Sequence, residues 1–298
     1  MGWYIPMSML DIVNGIYKRA GKEFVHDENA SIEKHMQQVV DWYNQSKGNL
    51  NEIDGYNCEV CKNKGFIALL DGNGYEVRRA CKCQKIRATL NRARKSGLGD
   101  IITEYTFDRY KNVEDWQKYI KNTAIAFCSD DAAHWFYIGG QVGAGKSHIC
   151  TAIAAYYIKQ ARNVCYMLWG EESKLLKALA NTQQYYTEIE KWKSADVLYI
   201  DDFLKVKNGE TPTTADMNLA FEIINHRIID REKVTIISSE KTLDQLMEYD
   251  EATMSRIYQK AGRYKISIAK DKSKNYRLRG CDNELQLYTI DEQAKIGC

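Results

Sequence analysis

The sequence predicts an α/β fold: a five-stranded parallel sheet with helices on both faces, preceded by a small helical, cysteine-bearing module. Three observations carry that expectation. A glycine-rich loop over residues 140–147 lies between an apolar run and a helical pattern. Four further apolar runs alternate with helical text, and two close cysteine pairs flank a hairpin pattern nearer the start.

With 298 residues the chain is long enough for about two domains and a sizeable core. Net charge is only +2, so global charge points to no class of partner. No apolar run reaches the ~18 residues a membrane span needs, and the opening MGWYIPMSMLDIV lacks a basic leader. The expectation is a soluble cytoplasmic protein with no membrane partner. Of the nine cysteines, Cys58, Cys61, Cys81 and Cys83 cluster; Cys128, Cys150, Cys165, Cys281 and Cys298 are scattered.

In chain order, residues 7–19 and 31–46 read as helices. Ile32, Met36, Val39 and Tyr43 form one apolar stripe that either closes a small helical core or docks on a partner. From Asn57 to Cys83 the pattern is Cys-x2-Cys, nineteen residues, Cys-x-Cys. Between the pairs, Phe66–Leu70, a turn at Asp71-Gly72-Asn73-Gly74 and Tyr75–Val77 read as a hairpin. A hairpin returns the chain to its start, bringing Cys58, Cys61, Cys81 and Cys83 together as a tetrahedral thiolate set for structural Zn²⁺. The alternative is four ordinary reduced cysteines.

Gln84–Ser96 reads as a helix stopping at Gly97. Between Asn57 and Gly97, ten Lys/Arg face three Asp/Glu, a local net of +7 that leaves −5 for the remainder. That surface is either a nucleic-acid or acidic-partner contact or a solvated helix face. The expected division is an N-terminal domain over 1–97, a linker over 98–110 and a larger domain built around the glycine-rich loop over 111–298.

The central motif is G-x-x-x-x-G-K-S, from Gly140 to Ser147. Gly140, Gly143 and Gly145 free the backbone to turn its N–H groups toward phosphate oxygens. Ala144 and His148 complete the loop, Lys146 supplies a charge for the β and γ phosphates, and the Ser147 hydroxyl is a Mg²⁺ ligand. The apolar run Trp135–Ile138 precedes the loop, and Ile149, Ile153 and Tyr157 mark a helix after it, so ATP phosphates would sit at a helix N-terminus.

Asn163–Trp169 reads as a second strand, with helical segments to about Trp192 bearing Lys174 and Lys177, either DNA contacts or a solvated face. Val197–Ile200 then runs into Asp201 and Asp202. Asp201 fits the Mg²⁺-holding acid and Asp202 the group that orients the attacking water. Because Asp is one methylene shorter than Glu, slow hydrolysis is expected. A helix over Thr214–Asp230, a buried strand Val234–Ser239, helical text through Arg256 and a fifth strand at Lys265–Ala269 complete the alternation.

The combination of SGLG, YTFDRY, GGQVGAGKSH, VLYIDD, TIISSE and EATMSRI with a cysteine-bearing N-terminal module resembles the DnaC/DnaI-type replicative helicase loaders. These form a bacterial and phage branch of the AAA+ ATPases that also contains the IstB transposition helpers. The resemblance implies an AAA+ core without a helical lid, since 29 residues follow Ala269. It implies that Arg256 is an arginine finger acting on a neighbouring subunit, that Arg277, or less directly Arg279, is the second sensor, and that Ser239 lies near the first. An Asn is common at that first sensor, where this chain has Ser238, Ser239 and Glu240, and the acid pair departs from the general Asp-Glu. The implied function is ATP-dependent placement of a hexameric replicative helicase on single-stranded DNA, with self-association in the ATP state. The alternatives are an IstB-like transposition helper, a non-hydrolysing ATP-binding adaptor, and a zinc module that is itself the main nucleic-acid binder.

Overall fold

The computed structural model describes residues 32–99, 101–207 and 210–278. The expected helix over 7–19, Arg279, Cys281 and Cys298 lie outside these residues. The described residues form two compact units, divided between Arg87 and Ala88.

In the first unit, helices α1 (Ile32–Gln45) and α2 (Leu50–Asp54) precede the hairpin of β1 (Phe66–Leu70) and β2 (Glu76–Ala80). The turn forms because the Asp71 carboxylate accepts from the Asn73 and Tyr75 N–H groups, each at 2.9 Å. Cross-strand pairing runs from Leu70 opposite Glu76 to Phe66 opposite Ala80, so β2 extends past the expected Val77. Arg78 and Arg79 hid that extension: their side chains break the apolar pattern, while their backbone groups still pair with β1. Of the stripe on α1, Val39 is buried together with Val40. The Asn44 side chain takes both hydrogen bonds that the outer edge of β1 offers at Ala68, donating to its C=O at 2.9 Å and accepting from its N–H at 3.0 Å. Val39 therefore brings the stripe into the core of this unit.

Helix α3 (Cys83–Ala93) carries the chain across the division between Arg87 and Ala88, upstream of the boundary expected after Gly97. A wide turn follows over Arg94–Leu98, possible because Gly97 adopts φ 107°. The expected linker is structured: α4 (Ile101–Glu104) packs on the helix after the phosphate loop, and Leu98, Ile102 and Tyr110 are buried. Their apolar side chains have a core to join, which the Gly-rich SGLG text concealed.

The second unit continues with α5 (Asp115–Cys128), β3 (Trp135–Gly140), α6 (Lys146–Lys159), β4 (Val164–Leu168), α7 (Trp169–Ala178), α8 (Gln183–Ser194) and β5 (Val197–Asp201). Then come α9 (Thr214–Ile229), β6 (Val234–Ser239), α10 (Leu243–Met247), α11 (Glu251–Ala261) and β7 (Lys265–Ile268). The five strands are parallel in the order β4-β5-β6-β3-β7. β3, β5 and β6 are buried at every position, as strands covered on both faces must be. Register aligns Gly139 with Ser239 and Gly140 with Ile268, so the loop and the end of β6 meet at the carboxyl edge of the sheet, where ligands bind in such folds.

One buried cation holds the opposite end. Arg227, fully buried on α9, donates to the carbonyls of Ala195 at 2.8 Å and Val234 at 2.7 Å, and to Thr235 Oγ1 at 2.9 Å. It also reaches the Trp192 and Lys193 carbonyls at the end of α8. Burial brings its pKa down to about 10, still charged at neutral pH. Among the described residues, no helix is long and apolar enough to cross a membrane.

Candidate functional site

Loop 140–147 folds as its glycines require. Gly140, Gly143 and Gly145 take φ of 109°, 74° and 84°. A Cβ on Gly140 would lie 2.1 Å from the Ile268 carbonyl oxygen, and one on Gly143 would lie 1.9 Å from Asn275 Oδ1. Space as well as dihedral angle therefore demands glycine at both. The loop feeds the N-terminus of α6, whose free N–H groups and dipole favour anions.

Lys146 is buried, and its ammonium donates to the loop's own carbonyls, Gly140 O at 2.9 Å and Gln141 O at 2.7 Å. Burial lowers its pKa, opposed by the carboxylates of Glu240, Asp202 and Asp201. Ser147 Oγ donates to Asp201 Oδ1 at 3.1 Å, pairing the two oxygen ligands expected for Mg²⁺. Hard oxygen donors at a phosphate loop fit that ion, which would supply positive charge beside the β and γ phosphates. The Asp201 carboxylate is held in one orientation: Ser238 Oγ and the Asp202 N–H also reach Oδ1, and the Tyr166 hydroxyl donates to Oδ2 at 3.2 Å.

A cavity of about 340 Å³ opens over the loop, lined by Gly143 to His148, Asp202 and Arg277. Asp202 sits at φ 53° with its carboxylate 2.9 Å from Lys205 Nζ, and the same ammonium lies 2.9 Å from Glu240 Oε1. Gly143, Ala144, Gly145, Lys146, Ser147, His148, Asp201, Asp202 and Arg277 are thus brought together around the loop. Ser239 is not. Its hydroxyl donates to Phe203 O at 2.9 Å and accepts from the Lys241 N–H, facing the β5–β6 junction. Alternation along β6 turns Ser238 toward Asp201 instead. Arg256 stays outside the cavity, its guanidinium 5.5 Å from the Phe221 ring centre and its Nη1 buried without a hydrogen-bond partner among the described residues. Lys177, read as a possible DNA contact, lies 2.6 Å from the Asp216 carboxylate.

Several lining residues escaped the sequence reading. Tyr105 stacks parallel on His148 with centroids 4.6 Å apart, Tyr110 meets the same ring edge-on, and Thr106 O lies 2.8 Å from His148 Nε2. Burial lowers the His148 pKa, with that carbonyl contact opposing. Arg109, Lys111 and Gln117 complete this wall, and Tyr276 closes it by donating its N–H to Gly143 O at 3.0 Å. The YTFDRY segment was the available signal.

In the first unit, the sulfurs of Cys58, Cys61, Cys81 and Cys83 lie within 4.8 Å of one another. Cys58 and Cys81 are 3.8 Å apart and Cys61 and Cys83 3.4 Å apart. A Zn–S distance of about 2.3 Å gives tetrahedral edges of about 3.8 Å, so the donor set fits Zn²⁺. The Gly65 N–H points at Cys61 Sγ at 3.3 Å; burial raises the Cys61 thiol pKa, and this contact with the neighbouring thiols brings it down to about 7. Asn63 Oδ1 accepts from the Cys58 N–H at 2.7 Å and from Arg87 Nη2 at 3.1 Å, while Arg87 also pairs with buried Asp54. All four thiols are turned inward, and nothing in the set leaves an open catalytic position.

The chain is similar to several known proteins. The phage-like element PBSX protein XkdC of Bacillus subtilis is 29% identical over 245 residues, covering 77% of this chain and 89% of its own length. The replicative helicase loader DnaC of Buchnera aphidicola is 22% identical, covering 61% of this chain and 69% of that protein. A crystal structure of DnaI superposes with a TM-score of 0.45 at 17% identity, covering 59% of this chain and 96% of that one. The model for the bacterial DnaA ATPase domain matches residues 101–261, and the chain belongs to that family of AAA+ ATPases.

Proposed function

We propose that this protein is an ATP-dependent loader that binds a hexameric replicative DNA helicase and assists its placement on single-stranded DNA. The observation that carries the reading is the convergence of Lys146, Ser147, Asp201, Asp202 and Arg277 on one cavity edge, in a chain that also carries a four-cysteine module. A relative named as a replicative helicase loader supports the choice of partner.

Lys146 and the loop N–H groups hold the β and γ phosphates, Ser147 and Asp201 hold Mg²⁺, and Arg277 reaches the phosphates within the subunit. Tyr105, Tyr110 and His148 form an aromatic wall for the base. Arg256, whose Nη1 has no hydrogen-bond partner among the described residues, completes the site of a neighbouring copy. ATP then acts as a switch: the γ phosphate favours the assembled state through contacts that only that state makes, and hydrolysis removes them. The module over residues 1–97 holds structural Zn²⁺ and contacts the helicase.

One observation favours a second reading. Lys205 ties up the Asp202 carboxylate, as in an adaptor that binds ATP without turnover. Phosphate release with and without single-stranded DNA and helicase separates the two. Turnover in the full mixture supports the loader; absence of turnover in every mixture, with ATP still bound, supports the adaptor.

A further inference from the structure

Two carboxylates reach the mouth of the phosphate cavity from adjacent strand ends, and they differ in freedom. Asp202 follows β5 in the left-handed region at φ 53°, its N–H tied at 3.2 Å to both Asp201 Oδ1 and Ser238 Oγ. Its short side chain has only two torsions with which to move. Glu240 follows β6 and carries one methylene more. It lines this cavity and also the adjoining one beside Gly140 and Gln141. Lys205 Nζ bridges the two at 2.9 Å each, and all three side chains are partly exposed, so the bridge is exchangeable.

We infer that Glu240, rather than Asp202, is the carboxylate that orients and deprotonates the attacking water, and that Lys205 is a clamp holding it back. This rests on the ATPase reading above. In the step, the water oxygen forms a bond to the γ phosphorus while the bond from that phosphorus to the β–γ bridging oxygen breaks, its electron pair leaving with ADP. The water proton passes to the Glu240 carboxylate and then to solvent. Lys205 must release Glu240 for that transfer, and the ion pair with Asp202 gives the ammonium somewhere to stay. The side chain missing at position 202, an acid of Glu length, is thereby supplied from position 240.

The test measures steady-state phosphate release at saturating ATP and Mg²⁺, together with affinity for a fluorescent ATP analogue, on the full chain. Glu240→Gln is expected to lower turnover by about 10²-fold, the usual worth of a general base, with analogue affinity unchanged. Glu240→Asp retains part of the rate, Asp202→Asn loses less than Glu240→Gln, and Lys205→Met turns over faster than wild type. The assignment is overturned if Asp202→Asn costs more than Glu240→Gln, if Glu240→Gln keeps the wild-type rate, or if its affinity falls in step with its rate. A Lys205→Met rate at or below wild type overturns the clamp. Wild-type protein that binds the analogue yet releases no phosphate alone or with single-stranded DNA and helicase overturns the ATPase reading and this assignment together, and the wild-type baseline distinguishes that failure from the others.

Discussion

Single side chains set the first predictions. Lys146 spends its ammonium on two loop carbonyls in this structure, so phosphates must exchange for those contacts. Lys146→Ala removes a charge-assisted contact worth about 1.5–3 kcal/mol, and affinity for labelled ATP is expected to drop about tenfold to a hundredfold by titration. Arg256→Ala, by contrast, should leave that affinity intact and remove the turnover stimulated by assembly; equal loss of binding in both variants would contradict a role in trans. His148 carries a pH signature. Burial holds its pKa below the ordinary 6.5, so the folded state resists the proton that the unfolded chain accepts. Stability is therefore complete above pH 6.5 and declines as pH falls below it. Urea unfolding at about pH 7 and about pH 5.5 should show this slope reduced in His148→Gln. At this scale the loop and the acid pair were legible, because glycine positions and a Lys-Ser dipeptide state their chemistry locally. Ser239 was not: which of two adjacent serines faces Asp201 depends on the pleat of β6, and one residue of register exchanges their directions.

Elements explain what carries these side chains. The strands were readable because burial on both faces turns each into an apolar run, and the structure adds that α9 starts at a reciprocal cap between Thr213 and Asp216. The segment over 98–110 was misread as a linker, since one short helix and three buried residues leave no periodicity long enough to detect. Arg227 was equally silent, as a lone arginine in helical text resembles a solvated one. Its five hydrogen bonds predict that Arg227→Leu, by stranding buried carbonyls at about 1–3 kcal/mol each, lowers unfolding free energy by more than about 3 kcal/mol. A denaturant midpoint close to wild type would contradict that. In the hairpin module, the cysteine spacing was sufficient to foresee the cluster, whereas the Arg87–Asp54 pair that braces it was not, being 33 residues apart in sequence. Cys58→Ser should release bound zinc and unfold this unit while the ATP-binding unit retains its own transition; metal analysis beside two-probe melting measures both, and full zinc stoichiometry in the variant would contradict a four-thiolate site.

At the scale of the whole molecule, the chain carries a family-level ATP-binding core and a separate cysteine module. The fold class was legible because loop, acids and strand alternation recur in the order a doubly covered parallel sheet requires. Helicase, DNA and neighbouring copies were less legible, since surfaces that meet partners carry no periodic signature in one sequence. They predict that size measurement of the chain with a candidate replicative helicase shifts to a larger complex with ATP and Mg²⁺ and not without them. Everything in that scheme depends on the loop over 140–147 gripping a triphosphate. The most direct measurement is titration of folded wild-type protein and Lys146→Ala with labelled ATP and Mg²⁺. The account predicts saturable binding that is markedly weakened in the variant; no saturable binding by folded wild-type protein, or equal binding by the two, would contradict it.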